Sequence, residues 1–142
     1  MRNTRLGDKI KQVLACVPSA GAATAMTAVA VDGTGYNRAL YTLATGAQAT
    51  GGTMTLKITE SDATGGTYTD ITSAALANLG ASSGSKVYTL DIPVNPAKPF
   101  QKISGTIGTD TIANSIICTL YRPTESIKYP ISTAYATQAI IV

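Results

Sequence analysis

The chain has 142 residues and a net charge of +3, and 44% of its residues are apolar while only 13% are charged. This composition is too apolar for a disordered chain, and no apolar run approaches the roughly 18 residues that a membrane-spanning helix needs. We therefore expect one soluble, ordered domain that has no membrane partner and buries roughly two-thirds of its unfolded surface.

The net charge lies in an N-terminal arm, which we assign to residues 1–23. The first eleven residues hold four basic side chains against one acidic side chain, whereas basic and acidic residues cancel over the rest of the chain. Such an arm favours an acidic partner surface, and without interleaved aromatic residues it makes too few phosphate contacts for a nucleic-acid partner. The basic residues of the arm are Arg2, Arg5, Lys9 and Lys11.

The arm also carries apolar residues at helical intervals, and Pro18 ends the series. The members of the series are Leu6, Ile10, Val13, Leu14 and Val17. Because Gly7 weakens such a helix, two alternatives stay open: a short amphipathic helix lying on another surface, or an extended segment. In both cases we expect removal of residues 1–18 to weaken partner binding and to leave the remaining domain folded.

Residues 24–122 form the predicted domain. Short runs rich in Val, Ile, Thr and Tyr recur at intervals of roughly 10 to 20 residues between Gly, Pro, Asn and Asp. This pattern predicts an all-β fold, an antiparallel β-sandwich of jelly-roll-like type with an extended N-terminal arm and a C-terminal tail. Residues 74–79 are the one segment of the domain for which we expect a helical turn. The predicted strands are residues 26–31, 38–45, 53–59, 68–72, 86–92, 101–107 and 115–122.

Alternation within these runs predicts which side chains form the core, because successive residues of a strand point to opposite faces. The predicted inward residues are Val29, Val31, Leu40, Leu43, Met54, Leu56, Ile58, Ile71, Leu90, Ile92, Ile103, Ile107, Ile117 and Leu120. The tyrosines, by contrast, are expected at the edge of the core or at interfaces. They are Tyr36, Tyr41, Tyr68, Tyr88, Tyr121, Tyr129 and Tyr135.

The chain has two cysteines, Cys16 and Cys118, and no histidine. Neither thiol therefore has an imidazole base, and two thiolates alone do not complete a zinc shell. We expect Cys118 to be a buried apolar thiol. The glycines at 33, 35, 51 and 52 do not precede a helix or a Lys-Ser or Lys-Thr pair, as a phosphate-binding loop would require. We expect no catalytic residue, no cofactor and no enzyme activity.

The segment Glu60-Ser61-Asp62 follows a well-formed alternating strand and precedes a Gly-Gly pair. General acid–base catalysis would need a second positioned group with a shifted pKa, whereas Asp and Ser form turns because their side chains bond nearby amides. We predict a turn and no metal site. A weak calcium site at Glu60 and Asp62 is the alternative.

Three stretches carry a resemblance to a known family: Val-Asp-Gly-Thr-Gly-Tyr-Asn-Arg-Ala-Leu-Tyr at 31–41, Thr-Gly-Gly-Thr-Met-Thr-Leu-Lys-Ile-Thr-Glu-Ser-Asp at 50–62, and Gly-Gly-Thr-Tyr-Thr-Asp-Ile at 65–71. The chain resembles the small β-sandwich virion proteins of tailed bacteriophages over about residues 29–107. Residues 100–104 fit a later strand of that family. The resemblance implies a capsid decoration, or cement, protein that is made in the host cytoplasm and resides on the capsid surface of the virion. It further implies a homotrimer that binds the major capsid protein and ties neighbouring capsomers together.

The tail, residues 123–142, ends on apolar β-formers, which would be an aggregation hazard if left exposed. We predict that the tail adds a strand to a neighbouring subunit or to the shell. The predicted partner contacts are Arg2, Arg5, Leu6, Lys9, Ile10, Lys11, Leu14, Tyr135, Ile140 and Ile141. Two other functions remain alternatives: a tail, neck or baseplate adaptor of the virion, and a carbohydrate-binding module. The second would need exposed aromatic platforms, yet the chain has no Trp.

Overall fold

A computed structural model of the chain describes residues 10–21, 25–48, 51–79, 85–108, 112–123 and 137–141. Within these ranges the chain forms β-strands, and this part holds no helix with the length and apolar character needed to cross a bilayer. The strands are β1 (Ile10–Gly21), β2 (Val31–Asp32), β3 (Tyr36–Gln48), β4 (Met54–Ser61), β5 (Thr69–Leu79), β6 (Val87–Pro93), β7 (Phe100–Ile107), β8 (Ile112–Pro123) and β9 (Thr137–Ile141).

The strands build two antiparallel sheets. A five-stranded sheet has the order β1-β8-β3-β6-β9, and a four-stranded sheet has the order β2-β7-β4-β5. The first eight strands therefore pair as β1 with β8, β3 with β6, β2 with β7 and β4 with β5, which is the arrangement of a jelly roll with two Greek keys. The predicted antiparallel β-sandwich is confirmed, and β9 is an additional strand beside β6.

The core lies between the two sheets and follows the alternation of each strand. In β4, Met54, Leu56 and Ile58 are at most 2% exposed, whereas Thr55 and Lys57 between them are exposed. The same prediction is confirmed for most inward residues, and Ile71 is half-buried against the core. The confirmed buried residues are Val31, Leu43, Met54, Leu56, Ile58, Leu90, Ile92, Ile103, Ile107 and Leu120.

The prediction is wrong for three residues. Val29 and Ile117 are exposed, and Leu40 is only half-buried. Leu40 and Leu43 are three residues apart, as are Ile117 and Leu120, so a regular strand places only one member of each pair on its inner face. The inner face takes Leu43 and Leu120, and it gains Ala39, Tyr41, Ile116 and Cys118 from the same strands.

Strand β1 corrects the interpretation of the N-terminal arm. Its backbone pairs with β8 from Ile10 opposite Tyr121 to Gly21 opposite Ile112, with bulges near Cys16. The helical alternative is therefore wrong for Ile10–Gly21, which is an extended strand of the sandwich. Removal of residues 1–18 would delete most of β1 and uncover the edge of β8. The expectation that the domain survives this deletion is corrected accordingly, and only residues 1–9 precede the sandwich.

Two further segments differ from the prediction. Residues 74–79 form no helical turn because they belong to β5. This strand bulges between Asp70, opposite Thr59, and Ala75, opposite Lys57, and Ser73 within the bulge has φ of 66°. The predicted strand at 26–31 is reduced to β2, preceded by isolated bridges.

Residues 25–32 form a strap that closes one side of the sandwich. Met26 N donates to Gly105 O of β7 at 3.1 Å, and Val17 N of β1 donates to Thr27 O at 3.1 Å. The strap thus joins the edges of both sheets. At Gly105 a Cβ atom would stand 2.7 Å from Thr55 O and 2.8 Å from Met26 Sδ, so this close approach requires glycine.

The C-terminal strand has a different partner from the predicted one. Residues 137–141 pair antiparallel with β6 of the same chain, from Thr137 opposite Asp91 to Ile141 opposite Val87. Their backbone groups therefore extend the five-stranded sheet within one subunit, and the strand addition to a neighbour predicted for the tail is not the pairing observed.

Two of the tyrosines expected at the core edge are inside it, because Tyr41 and Tyr88 are each 2% exposed. The Tyr41 hydroxyl donates to Gln101 Oε1 at 3.0 Å, and Gln101 Nε2 donates to Pro93 O at 3.3 Å. Gln101 is fully buried. The pair links β3 of one sheet to β7 of the other, so it bridges the core with a satisfied polar contact.

We expect Tyr41→Phe to lower the free energy of unfolding by about 1–3 kcal/mol, because it leaves the buried Gln101 Oε1 without this donor. Tyr41→Phe should cost much less in a Gln101→Leu background, where the acceptor is gone. A double-mutant cycle by urea unfolding measures the difference. If Tyr41→Phe lowered the free energy of unfolding equally in the unchanged protein and in Gln101→Leu, the hydrogen bond to Gln101 would contribute nothing to stability.

Candidate functional site

Large apolar side chains that stay exposed lie on neighbouring segments at the β1 edge of the five-stranded sheet. Within the described part of the chain they are Leu14, Val17, Val29 and Ile117, which are 44%, 42%, 39% and 43% exposed. We call these four residues the aliphatic patch. Contiguous exposed apolar patches on folded proteins often mark surfaces that bind a partner, whereas single exposed apolar residues do not.

Strand pairing brings the four residues of the patch together. Leu14 of β1 lies directly opposite Ile117 of β8. Residues directly opposite each other on one sheet face have Cβ atoms only about 5 Å apart. The strap adds the other side, because Val29 N donates to Ala15 O at 2.9 Å and Val17 N donates to Thr27 O. The patch therefore spans the join between β1, β8 and the strap.

The side chains next to the patch are uncharged. Thr42 lies opposite Ile117, and Gln12 Nε2 donates to Thr119 Oγ1 at 3.5 Å in the adjacent row. A face of aliphatic and hydroxyl groups buries readily against another protein, because little charge must be desolvated.

A charged cluster on the five-stranded sheet is neutralised within itself. Arg38 Nε donates to Asp91 Oδ1 at 3.1 Å, Arg38 Nη2 lies 2.9 Å from Asp91 Oδ2, and the Tyr121 hydroxyl donates to Asp91 Oδ2 at 2.6 Å. Burial and the hydrogen bond to the Asp91 carboxylate raise the pKa of the Tyr121 phenol. The cluster joins β3, β6 and β8 and fixes the register of the sheet.

The outer face of the four-stranded sheet has a different chemistry. Lys57 Nζ lies 2.7 Å from Asp70 Oδ2, and Lys102 Nζ lies 5.7 Å from the centre of the Tyr68 ring. A shallow groove of about 260 Å³ crosses this face, with Thr55, Lys57, Ser104 and Thr106 among its lining residues. No aromatic side chain in the described ranges lines it, so the groove lacks the stacking platform expected of a carbohydrate-binding module.

The predicted turn is confirmed only from Asp62 onward, because Glu60 and Ser61 are the last two residues of β4 and pair with β7. Ala63 N donates to Ser61 Oγ at 3.3 Å, and Gly66 N donates to Ala63 O at 3.0 Å. The Glu60 carboxylate is engaged elsewhere: Asn95 Nδ2 donates to its Oε1 at 3.4 Å, and Lys98 Nζ lies 3.7 Å from the same atom. Over the described residues no three His, Cys, Asp or Glu side chains are grouped as a metal site would require.

Both thiols are free and fully buried in the core, as predicted for Cys118. Burial raises the pKa of Cys118 to about 12, and a hydrogen bond with Tyr41 opposes this shift. Burial also raises the pKa of Cys16. Cys16 Sγ lies 3.9 Å from Asn114 Oδ1. Protonated buried thiols of this kind are inert.

The predicted contact residues fall into three groups. Ile10, Lys11 and Leu14 lie on β1, and among them Leu14 belongs to the aliphatic patch. Ile140 and Ile141 lie on β9, at the opposite edge of the same sheet from β1. The rest lie outside the described residues: Arg2, Arg5, Leu6, Lys9 and Tyr135.

Sequence reasoning missed half of the patch by assigning Val29 and Ile117 to the core. The run Ile116-Ile117-Cys118 is apolar at consecutive positions. An apolar residue therefore faces the core whichever alternate positions point inward, and at least one apolar residue is left on the outer face. That surplus of apolar residues was the available signal. No protein-family model and no curated protein sequence matches this chain.

Proposed function

We propose that this protein is a structural component of a tailed-bacteriophage particle, which binds the outer surface of the capsid through the major capsid protein and braces neighbouring capsomers. The observation that supports the proposal best is the aliphatic patch, an uncharged contact face on a jelly-roll sandwich. The sequence resemblance to small virion proteins points to the same class of function.

The geometry of the patch fits a protein interface better than a ligand-binding or catalytic site. The patch lies on the exposed side of β1, β8 and the strap, and the polar side chains nearest to it are neutral Thr and Gln groups. Ligand sites are concave and place a few polar groups at fixed positions, whereas protein interfaces have apolar centres that are poor in charge. Jelly rolls serve as viral capsid domains and as lectins. The fold alone therefore fits both a capsid protein and a lectin. We favour the capsid protein because of the aliphatic patch.

Repetition gives such a part its strength. A single contact of micromolar affinity is worth about 8 kcal/mol at the standard state. A subunit, or the proposed trimer, that holds two capsomers at once gains further because the second contact is made at high effective concentration. Many copies with modest individual affinity then resist expansion of the shell.

Electron cryomicroscopy of particles from the phage that encodes this chain tests the proposal. We expect density for the sandwich on the outer surface of the head, in many symmetry-related copies, and the chain among the proteins of purified particles by mass spectrometry. Density on the tail, neck or baseplate would make the protein an adaptor and overturn capsid decoration. Absence from purified particles would overturn a virion role altogether.

A further inference from the structure

We infer that the outer face of the five-stranded sheet is the surface that lies against the capsid, and that the four-stranded sheet faces solvent. The surface that receives it has an apolar, uncharged centre and acidic groups beside the N-terminal end of β1. This inference rests on the proposed function and assigns its contact face and the chemistry of its partner.

The centre of the contact follows from the aliphatic patch. Leu14 and Ile117 are directly opposite each other and more than 40% exposed, with Val17 and Val29 beside them. Interface centres are depleted in charged residues and enriched in apolar contact. A partner that buries this patch therefore has to present apolar side chains, because an unpaired charge placed here would lose its hydration without compensation.

The acidic side of the partner follows from the charge distribution. The first eleven residues carry four basic side chains against one acidic side chain, and three of the four basic residues precede β1. Lys11 itself lies opposite the buried Leu120, on the other face of β1 from Leu14. Complementary charge at the rim of an interface raises the association rate. A second copy of this chain would bring the same positive charge to the same rim, so the charge favours a different protein as the occupant.

The opposite face is unsuited to burial. Lys57 and Asp70 form an ion pair on the four-stranded sheet with side chains that are 47% and 60% exposed. The Lys98 and Glu60 pair lies at the end of the same sheet. Burying these pairs against a partner would desolvate several charges, which their mutual attraction repays poorly. The Arg38–Asp91 pair on the outer face of the five-stranded sheet is only 12% and 26% exposed, so a partner there would remove less hydration. This face therefore remains in water.

Thiol labelling of variants that each carry one introduced surface cysteine tests the orientation. The native Cys16 and Cys118 are fully buried, so biotin-maleimide reacts with an introduced surface thiol above a low background. We compare Leu14→Cys and Ile117→Cys with the matched control Lys57→Cys, on the free protein and on intact particles. All three should label in the free protein. On particles we expect labelling of the first two to slow by about tenfold or more, while the control keeps its free rate.

The outcomes of this experiment separate the two proposals. Protection of the Lys57→Cys variant together with free reaction of the Leu14→Cys variant would overturn the orientation and leave the capsid role intact. Failure of the protein to occupy particles at all would overturn the proposed function, and the orientation with it.

Substitution of the patch provides a second readout. We expect the double variant Leu14→Ser, Ile117→Ser to lose particle occupancy by about tenfold or more at a fixed concentration, since two apolar contacts disappear. Lys57→Ser, on the opposite face, should keep normal occupancy. If the double variant instead altered the oligomeric mass by light scattering and left occupancy unchanged, a second copy would be the occupant and the inference would be overturned.

The acidic rim has its own measurement. The triple variant Arg2→Gln, Arg5→Gln, Lys9→Gln should slow association with particles and flatten its dependence on salt concentration. An unchanged salt dependence would show that the partner has no acidic groups beside the N-terminal end of β1.

Discussion

Replacing Ile58 by alanine is expected to lower the free energy of unfolding by about 2–5 kcal/mol. Ile58 is fully buried on the inner face of β4, opposite Ile103 of β7. Strand β4 lies between β7 and β5, so neighbours on both sides hold the backbone and limit collapse into the cavity. A domain of this size has a total stability of about 5–15 kcal/mol, so the loss removes a large share of it.

The neighbouring residue supplies the control. Lys57 is on the outer face of the same strand and pairs with Asp70 at 2.7 Å, with 47% of its side chain exposed. An exposed pair of this kind contributes about 0–1 kcal/mol, so Lys57→Ala should be nearly neutral. Urea unfolding followed by circular dichroism measures both variants. Similar losses for the two would contradict the alternation of burial along β4, on which the sandwich and the surface orientation depend.

The second large effect is a loss of stability in alkaline solution. Burial raises the pKa of Cys118 to about 12, whereas an unfolded thiol titrates at about 8.5–9. Burial also raises the pKa of Tyr41 well above its ordinary value of about 10. Both groups stay neutral in the folded protein over a range in which the unfolded chain ionises. The unfolded state therefore releases protons first and gains free energy as the pH rises.

The sign and the window follow from this linkage. The contribution of Cys118 to stability is fully present below about pH 9 and is lost as the pH rises from about 9 to about 12, at about 1.4 kcal/mol per pH unit. At pH 11 the loss from this thiol is roughly 3 kcal/mol. Tyr41 steepens the decline above about pH 10. Urea unfolding at pH 8, 9, 10 and 11 measures the slope.

Cys118→Ala isolates the contribution of the thiol. The variant loses a small buried side chain at every pH, but its stability should decline less steeply between pH 9 and 10, where Tyr41 contributes least. Cys16, whose pKa burial also raises, keeps part of the slope in the variant. The difference in absorbance near 240 nm between the unchanged protein and Cys118→Ala removes the tyrosinate contribution. We expect this difference to appear only together with unfolding. A slope in Cys118→Ala equal to that of the unchanged protein would show that the thiol is not the group responsible.

Several parts of the fold could be read from local pattern. The alternation of Met54, Leu56 and Ile58 identified both a strand and its inner face. A strand with one face in solvent and one face on the core alternates polar and apolar residues. The turn that follows β4 was predicted for a similarly local reason: Ser61 Oγ accepts a hydrogen bond from Ala63 N, and Gly66 N donates to Ala63 O. These features depend on near neighbours in the chain.

Other parts failed where two registers or two periods fit the same residues. Leu14 and Val17 are spaced as on a helix, yet the free edge of β8 recruits their segment as a strand. A strand edge offers a row of unpaired backbone groups, and satisfying it outweighs a weak local helical preference. Tyr41 was predicted at the edge of the core because a tyrosine combines an apolar ring with a polar hydroxyl. Gln101, which accepts the hydrogen bond of the buried Tyr41 hydroxyl, comes from the opposite sheet.

By itself the sequence determined the all-β class, most of the inner face and the turns, because alternation and turn chemistry act over a few residues. The tertiary structure decided the jelly-roll strand order, the recruitment of β1 and β9 as strands of one sheet, and the position of the aliphatic patch. Leu14 and Ile117 are neighbours only because β1 and β8 pair across almost the whole chain. Contacts between distant segments depend on which edges remain open after the other strands have paired, and no local pattern records that choice.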